Sequence, residues 1–248
     1  MESLNEQVAV VTGASSGIGE ATARKLAAAG MTVVLAARRE ERLKQLQQEI
    51  EEQEGRALVV PTDVTDREAA QRLVDQTLEE YGRLDVLVNN AGVMPLSFVD
   101  KVKLDEWEWM VDVNVKGVLF CTAAALPAML EAGRGHLVNI SSVAGRRVFP
   151  GGAVYCATKF AVRAFSEGLR RELAPKHGIR VTNVEPGAVT TELPETITDE
   201  DIQRTMEKMQ AMTFLEPEDI AEAVHFAVVA PPRMDVAEVL VMPTDQGS

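Results

Sequence analysis

The chain has 248 residues, of which 46% are hydrophobic and 25% charged, and this composition indicates a globular protein with a sizeable core. Its formal net charge of −13 would repel phosphate backbones and anionic lipid surfaces, which excludes nucleic acid and membrane from the expected partners. A small anionic ligand remains compatible with this charge if local cations or helix termini bind it.

No targeting, membrane-spanning or metal-binding segment is predicted. The N-terminal sequence MESLNEQVAVV has no basic segment followed by a long apolar stretch, and no run of about 18 apolar residues occurs. Cys121 and Cys156 match no metal-ligand spacing, so we expect buried thiols in a reducing compartment. The sequence therefore predicts a cytoplasmic enzyme or binding protein without a metal.

Seven short runs rich in β-branched residues alternate with helical stretches along the chain. In order, the runs are QVAVVTGA, MTVVLAAR, ALVVPTDV, LDVLVNNAG, GHLVNISS, RVTNVEPG and VLVMP. Nearly continuous apolar strands are typical of a sheet covered by helices on both faces, and intervening helices imply parallel βαβ crossovers. We therefore predict one α/β domain that occupies residues 1–248.

Local signals predict where several helices begin and end. Thr65 and Glu68 have the spacing of a capping box at the start of the helix DREAAQRLVDQTLEEYG. Gly30, Gly55 and Gly82 stand where helices are expected to stop.

Residues 188–216, which we call the lid segment, interrupt the alternation because they lie between the last two predicted strands and contain no strand. A long segment after the C-terminal end of a strand is often a lid over a ligand site. A pair of surface helices without a functional role is the alternative. We predict a substrate lid.

The first predicted strand leads into the turn TGASSGIG, with glycines at positions 13, 17 and 19. Such glycines allow a tight turn and bring a helix N-terminus close to a pyrophosphate. A purely structural turn is the alternative, but the first strand of an open parallel sheet leads to the ligand crevice. The turn therefore predicts a dinucleotide site.

The stretch YCATK contains one of only two tyrosines and places Tyr155 and Lys159 one helical turn apart. A nearby cation stabilises a phenolate and lowers the pKa of the tyrosine, which suits it to acid and base work on an alcohol oxygen. Packing is the alternative for the pair. Ser142, at the end of the strand GHLVNISS, is a candidate to bind a substrate oxygen, with a strand-end cap as the alternative.

Asn114 is a lone amide on the apolar stripe of the helix EWEWMVDVNVKGVLF. An amide in such a place needs hydrogen-bond partners, or it destabilises the fold. It is either a satisfied core asparagine or a member of the site.

Together these motifs resemble the short-chain dehydrogenase/reductase family. TGxxxGIG in the first turn, NNAG at 89–92 and PG at 186–187 match the family pattern, and the resemblance extends over almost the whole chain. It implies a compact Rossmann-type fold, a doubly wound parallel sheet of seven strands in the order 3-2-1-4-5-6-7. With its ending PTDQ, the chain is most similar to the clavulanate-dehydrogenase-like and 3-hydroxy-acid-dehydrogenase-like members.

The resemblance implies roles for four residues. Tyr155 is the general acid/base, and Ser142, selected over Ser141 by its spacing to the tyrosine, holds the carbonyl oxygen. Lys159 binds the nicotinamide ribose and lowers the pKa of the tyrosine, while Asn114 holds a water linked to Lys159. The implied reaction is hydride transfer between a nicotinamide cofactor and a ketone or aldehyde, or the reverse.

NADP(H) is the predicted cofactor. Ala37 stands where NAD enzymes usually place an acid for the ribose 2′-hydroxyl, and Arg38 and Arg39 follow it. Guanidinium groups bind a 2′-phosphate well, and we hypothesise that Arg38→Asp shifts the preference toward NADH. Two solvated arginines at the start of an acidic helix are the alternative, and the glycine turn lacks the basic residue of some NADP members.

The resemblance extends the cofactor site to the glycine turn, the strand ends and the turn after strand six. These residues are Gly13, Ser15, Ser16, Gly17, Ile18, Gly19, Arg38, Arg39, Asp63, Val64, Asn90, Ala91, Gly92, Tyr155, Lys159, Pro186, Gly187, Val189 and Thr191. For Asp63, a role in the turn at the strand end is nearly as good an interpretation.

The predicted substrate pocket is largely apolar, which favours a medium-sized carbonyl compound. Its residues are Met94, Val143, Phe149, Leu193, Met206 and Met209. Arg146 or Arg147 would meet a substrate carboxylate unless both are solvated loop residues.

Two of the predicted helices are apolar on more than one face. Together with the resemblance, this pattern predicts a homodimer or homotetramer. A non-catalytic NADP(H) sensor or scaffold, and an epimerase or dehydratase, are the alternative functions.

Overall fold

The computed structural model describes residues 4–208 and 213–246, and for residues 206–208 it describes the backbone alone. Strands and helices alternate through this part of the chain. The strands are β1 (Val8–Thr12), β2 (Thr32–Ala37), β3 (Arg56–Pro61), β4 (Val86–Asn89), β5 (Gly135–Ile140), β6 (Ile179–Pro186) and β7 (Glu238–Val241). The α-helices are α1 (Gly17–Ala28), α2 (Glu40–Glu51), α3 (Arg67–Tyr81), α4 (Leu104–Val111), α5 (Gly117–Ala132), α6 (Ala153–His177), α7 (Glu200–Lys208) and α8 (Pro217–Val229).

The strands form one parallel sheet in the order β3-β2-β1-β4-β5-β6-β7, which confirms the predicted Rossmann-type fold. Val10 of β1 lies opposite Val34 of β2 on one side and Leu87 of β4 on the other. The strand order therefore reverses between β1 and β4. In doubly wound sheets the carboxyl ends of the strands at such a reversal form the ligand crevice.

Two apolar cores cover the two faces of the sheet, which explains why the strands are apolar without alternation. Every residue of β1 is buried. Val10 packs into the core that contains Leu73 of α3, whereas its neighbour Val11 packs into the core with Leu26 of α1 and Ile220 of α8. Successive side chains of a strand point to opposite faces, so each face requires its own apolar set.

The predicted capping box at α3 is wrong. Asp66, not Thr65, is the N-cap, and its carboxylate accepts from the Glu68 N–H at 2.8 Å. Thr65 instead donates its backbone N–H and its hydroxyl to Asp63 Oδ1. The Asp63 carboxyl thus takes the turn role that was its alternative interpretation. At the other end of α3, Gly82 adopts a left-handed conformation with φ of 69° and ends the helix as predicted.

Helices α4 and α5 join through a π-helical turn, Asp112–Lys116, into a continuous helical run. The run Leu104–Ala132 is long and apolar enough to cross a membrane by length and composition, although charged residues interrupt its sequence. Half of its most apolar window is buried inside the fold, and α5 packs against α3, β4 and β5. We interpret this run as a core helix.

Candidate active site

A cleft of about 1210 Å³ lies along the carboxyl ends of the strands and contains nearly all of the predicted site residues. Those that line it are Gly13, Ser15, Ser16, Gly17, Ile18, Arg38, Arg39, Asp63, Val64, Asn90, Ala91, Gly92, Met94, Ser142, Val143, Phe149, Tyr155, Lys159, Pro186, Gly187, Val189, Thr191 and Leu193. Gly19 and Asn114 lie outside this lining. The side chain of Met206 and the whole of Met209 are outside the described residues.

The glycine turn packs too closely against the start of α1 and the end of β4 to accept side chains at Gly13 and Gly19. A Cβ on Gly19 would lie 2.3 Å from the Gly13 carbonyl oxygen, and one on Gly13 would lie 2.8 Å from Asn90 Nδ2. Gly13 also has a φ of 67°, which side chains rarely adopt. Ser16, the N-cap of α1, gives its helix no side-chain hydrogen bond within the described residues. The first N–H groups of α1 therefore remain available to an anion.

Thr12 and Asn90 hold the glycine turn, and sequence reasoning missed Thr12 but assigned Asn90 to the cofactor site, where it lines the cleft. The Thr12 hydroxyl accepts from the backbone N–H groups of Asn90 (3.0 Å) and Ala91 (3.2 Å). The Asn90 amide donates to the carbonyl oxygen of Thr12 at 2.9 Å. The side chain of Asn90 thus links the end of β4 to the turn after β1. A threonine directly before the turn glycine was the available signal for Thr12.

Arg39 is the arginine that contacts the glycine turn. Its Nε donates to Ser15 Oγ at 3.0 Å, and its Nη2 donates to Ser16 Oγ at 2.6 Å. Arg38 lines the same cleft with an exposed side chain. The end of the cleft at Arg39 and the two serines, which we call the phosphate end, is built from residues of the predicted cofactor site.

Tyr155, Ser142 and Lys159 meet in the cleft at the carboxyl ends of β5 and β6, which we call the proton-transfer end. Tyr155 and Lys159 are each 6% exposed, and the Ser142 hydroxyl contacts the phenol. The Lys159 ammonium lies 5.7 Å from the centre of the phenol ring and donates to the Ile140 carbonyl at 3.0 Å. The two side chains project from successive turns of α6, as their spacing predicts.

Burial controls the protonation of this pair. It raises the pKa of the Tyr155 phenol to about 12, and the contact with Ser142 acts in the opposite direction. It lowers the pKa of the Lys159 ammonium to about 8. The expected lowering of the tyrosine pKa by Lys159 is therefore absent from the protein described here. The ammonium is bound to a strand carbonyl, and removal of the phenol from water has the larger effect.

The two neighbouring serines have different partners. The Ser141 hydroxyl donates to the Lys159 carbonyl at 2.9 Å and so is committed to α6. The Ser142 hydroxyl donates weakly to the Pro186 carbonyl (3.3 Å) and accepts from the Ala144 N–H. Ser142 therefore caps the turn after β5, as its alternative interpretation required, and also faces the phenol. Its position favours Ser142 over Ser141 as the substrate contact.

The Asn114 amide is satisfied within the protein. Its Oδ1 accepts from the Val93 N–H at 2.8 Å, and its Nδ2 donates to the Val93 carbonyl and to Thr158 Oγ1. Asn114 lies in the π-helical turn, where the Gly117 N–H bonds to the Asp112 carbonyl. Single π turns are frequent at functional sites. The side chain fixes the segment after Gly92, while its role toward a water stays a prediction.

The substrate side of the cleft is largely apolar, as predicted. Sequence reasoning missed several of its lining residues, among them Phe98, Trp109, Val113 and Ile202. Arg146 is unavailable to a substrate, because it pairs with the fully buried Glu185 and with Glu238. Arg147 is half-buried in the cleft and has no ion-pair partner among the described residues.

The lid segment is attached to the rest of the protein in two places. One is its neck, which we define as Gly187 and Ala188 directly after β6, and the other is the substrate side of the cleft. At the neck, the Gly187 N–H donates to the Val241 carbonyl (2.7 Å), and the Ala188 N–H donates to Gln246 Oε1 (3.0 Å). On the substrate side, Asp199 Oδ2 accepts from Ser97 Oγ at 3.0 Å and from the Phe98 N–H at 3.3 Å. Its position as a substrate lid stays a prediction.

Comparison with known proteins defines the class of this protein. The family model for short chain dehydrogenases matches residues 7–202. The chain therefore belongs to the short-chain dehydrogenase/reductase family and is an oxidoreductase of that family, as its motifs predicted.

Individual relatives match this chain over nearly the whole length of both proteins. An uncharacterised oxidoreductase of Staphylococcus saprophyticus is 44% identical over 247 residues, 99% of both chains. The closed form of a serine dehydrogenase complexed with NADP⁺ has a TM-score of 0.90 and 35% identity, and the match covers 98% of this chain and 97% of that one. A metagenomic short-chain oxidoreductase in complex with NADP has a TM-score of 0.83 and 36% identity, and the match covers 99% of this chain and 100% of that one.

Proposed function

We propose that the protein is an NADP(H)-dependent oxidoreductase that reduces a ketone or aldehyde to an alcohol, or catalyses the reverse, with Tyr155 as general acid/base. The observation that carries this proposal is the buried Tyr155 phenol in the cleft, beside the Ser142 hydroxyl and one turn from the Lys159 ammonium. The predicted cofactor is confirmed by the similar structures, which contain NADP. When bound, it supplies the hydride for the carbonyl carbon.

The residues along the cleft fit the parts of this cofactor. The glycine turn and the uncapped start of α1 suit the pyrophosphate, while Arg39 with its two serines suits the 2′-phosphate. By resemblance, Lys159 binds the nicotinamide ribose, and the Val189 backbone and Thr191 hold the carboxamide.

In the proton step, Ser142 donates a hydrogen bond to the carbonyl oxygen, and Tyr155 transfers its proton to that oxygen as the alkoxide forms. A phenol with a pKa of about 12 is protonated at neutral pH, which favours the reducing direction. The reverse reaction needs the phenolate, so alcohol oxidation should increase with pH. The relay from Lys159 through a water at Asn114 rests on the resemblance, since both amide protons of Asn114 already have partners.

Consumption of NADPH or NADH with a panel of ketones and aldehydes tests the proposal. We expect Tyr155→Phe to lower kcat about 10²- to 10⁴-fold, the usual contribution of a general acid, while NADPH still binds. Tyr81→Phe is the matched control, because Tyr81 is the other tyrosine of the chain and lies at the end of α3. Near-wild-type turnover by Tyr155→Phe would refute the mechanism.

Similarity to a serine dehydrogenase places serine and other hydroxy acids in the panel beside simple carbonyl compounds. Arg147 is the cleft arginine that a substrate carboxylate would meet. If hydroxy acids are substrates, Arg147→Gln should raise their KM and leave the KM of uncharged ketones unchanged.

The same panel distinguishes the alternatives. A non-catalytic NADP(H) sensor or scaffold would bind the cofactor without consuming it with any carbonyl compound. An epimerase or dehydratase would convert its substrate without net cofactor turnover.

We further propose a cytoplasmic homodimer or homotetramer. Large apolar side chains are exposed on several helices, among them Leu104 and Val111 of α4, Leu119 and Leu130 of α5, and Phe160 of α6. Such residues are common where subunits meet. Size-exclusion chromatography with light scattering tests this assembly, and a monomer would contradict it.

A further inference from the structure

Glu192 connects the lid segment to the phosphate end of the cleft. Its Oε2 accepts from Arg39 Nη1 at 2.7 Å, and its Oε1 accepts from Arg42 Nη1 at 2.5 Å. The two ion pairs lower the pKa of the Glu192 carboxyl to about 2, so the carboxylate is charged at every physiological pH. A carboxylate from one side of the cleft is thus held between two arginines on the other.

Every guanidinium nitrogen of Arg39 has a partner in this arrangement. Nε and Nη2 donate to the hydroxyls of Ser15 and Ser16, and Nη1 donates to Glu192. These bonds use three of the five guanidinium N–H groups, so an incoming phosphate gains the Nη1 hydrogen bond that Glu192 accepts only by replacing that carboxylate. The serine hydroxyls can turn and donate to a phosphate, but a carboxylate has no proton to offer and repels it.

We propose that Glu192 is a cofactor-selecting residue whose carboxylate occupies Arg39 in place of the 2′-phosphate and is displaced when a 2′-phosphorylated nucleotide binds. This inference rests on the proposed NADP(H) cofactor. The dianionic phosphate carries more charge than the carboxylate, so the exchange is favourable, but the lost ion pair weakens binding. A nucleotide without the phosphate brings no anion to exchange.

The exchange also affects the lid segment. Glu192 directly follows Thr191 and precedes the 3₁₀ turn Leu193–Thr196. Displacement of its carboxylate frees this part of the lid segment from Arg39 at the moment the phosphate arrives. Asp199 still holds the substrate side. The lid segment would thus respond to the cofactor at one end only.

Calorimetric binding of two nucleotides tests the proposal without any turnover. Adenosine 2′,5′-bisphosphate and adenosine 5′-monophosphate differ only in the 2′-phosphate. For Glu192→Gln we expect binding of the bisphosphate to tighten about two- to fivefold, the range for an exposed ion pair, and binding of the monophosphate to stay unchanged. In an Arg39→Gln background, Glu192→Gln should have no effect.

Glu195→Gln is the matched control, because Glu195 is an acidic residue of the same 3₁₀ turn and has no ion pair among the described residues. Unchanged or weaker bisphosphate binding by Glu192→Gln would overturn the proposal, as would an equal gain for the monophosphate or for Glu195→Gln. A wild-type protein that does not prefer the bisphosphate would overturn the proposed cofactor as well. If the wild type prefers the bisphosphate but Glu192→Gln does not change its affinity, the inference about Glu192 is overturned and the proposed cofactor stands.

Discussion

At the proton-transfer end of the cleft, Tyr155 and Lys159 are each 6% exposed and bond to neutral groups. At the phosphate end, the side chains of Arg39 and Glu192 are 44% and 37% exposed and form an ion pair. Burial moves the pKa of both groups at the first end toward the neutral form, while the ion pairs at the second end hold the carboxyl charged. One cleft therefore contains a buried site, where burial shifts proton affinity, and an exposed site, where ion pairs hold the charge.

The buried end is expected to be the more sensitive one. For Lys159→Met we expect at least a hundredfold loss of kcat, because a buried ammonium beside Tyr155 strongly affects the transferred proton. A loss of less than threefold would show that the cation takes no part in the proton step.

The same variant tests the pKa of Lys159 through stability. The folded pKa of about 8 lies below the usual 10.5, so the unfolded state binds more protons between these values and stability should rise with pH there. Below pH 8 both states are protonated, and the cost of burying the charge is fully present. Between pH 8 and 10, the free energy of unfolding of the wild type should rise by roughly 2 kcal/mol relative to that of Lys159→Met. Urea unfolding at each pH measures this difference. A constant difference would contradict this pKa.

The glycine turn, which contains the two serines of the phosphate end, tests packing rather than charge. A Cβ on Gly19 would overlap the Gly13 carbonyl and the Asn90 amide, so Gly19→Ala should weaken NADPH binding about 10- to 100-fold. Gly168→Ala is the control, because a Cβ on Gly168 meets nothing within 4 Å. If fluorescence titrations give the two variants equal affinities for NADPH, the turn can shift to accommodate the added Cβ without loss of binding.

At the exposed end we expect smaller effects. Arg39→Gln should weaken binding of adenosine 2′,5′-bisphosphate about tenfold, the contribution of a charged hydrogen bond, and Arg38→Gln should weaken it less. The comparison decides which arginine determines cofactor preference. If Arg38→Gln has the larger effect in calorimetry, Arg38 is the determinant, as the sequence first suggested.

The smallest effect is expected at the attachment of the lid segment on the substrate side. Asp199→Asn weakens its hydrogen bonds to Ser97 and Phe98, so KM for the carbonyl substrate should rise about two- to fivefold while the affinity for NADPH stays unchanged. Asp201→Asn is the control, since Asp201 pairs with Lys101 at the surface. Equal changes in both variants would assign the effect to surface charge.

The sequence predicted the fold because each strand requires two apolar faces, and runs such as VAVVT show this directly. The glycine turn and Tyr155 were also predictable, since their chemistry depends on spacing within a few residues. The Thr65 capping box failed because Asp63 and Asp66 are stronger competitors for nearby N–H groups and hydroxyls.

Contacts between distant segments were beyond sequence reasoning. Arg39 and Glu192 are 153 residues apart, and no local pattern places them together. The choice between Arg38 and Arg39 depends on the direction in which the chain enters α2, which neighbouring residues do not determine. The pKa of Tyr155 depends on the depth of its burial, so the Y-x-x-x-K spacing alone gave the wrong direction.

The contact of Gln246 with the neck of the lid segment has a consequence for the synthesis of the protein. Gln246 and Val241 bond to the two residues after β6, next to the proton-transfer end, whereas the glycine turn lies within the first 19 residues. Domains emerge from the ribosome at about 5–20 residues per second, N-terminal part first. The glycine turn is thus synthesised before the residues that support the neck, which has its support only after residue 246 has been added. A nascent chain that has not reached this point cannot yet assemble the complete cleft.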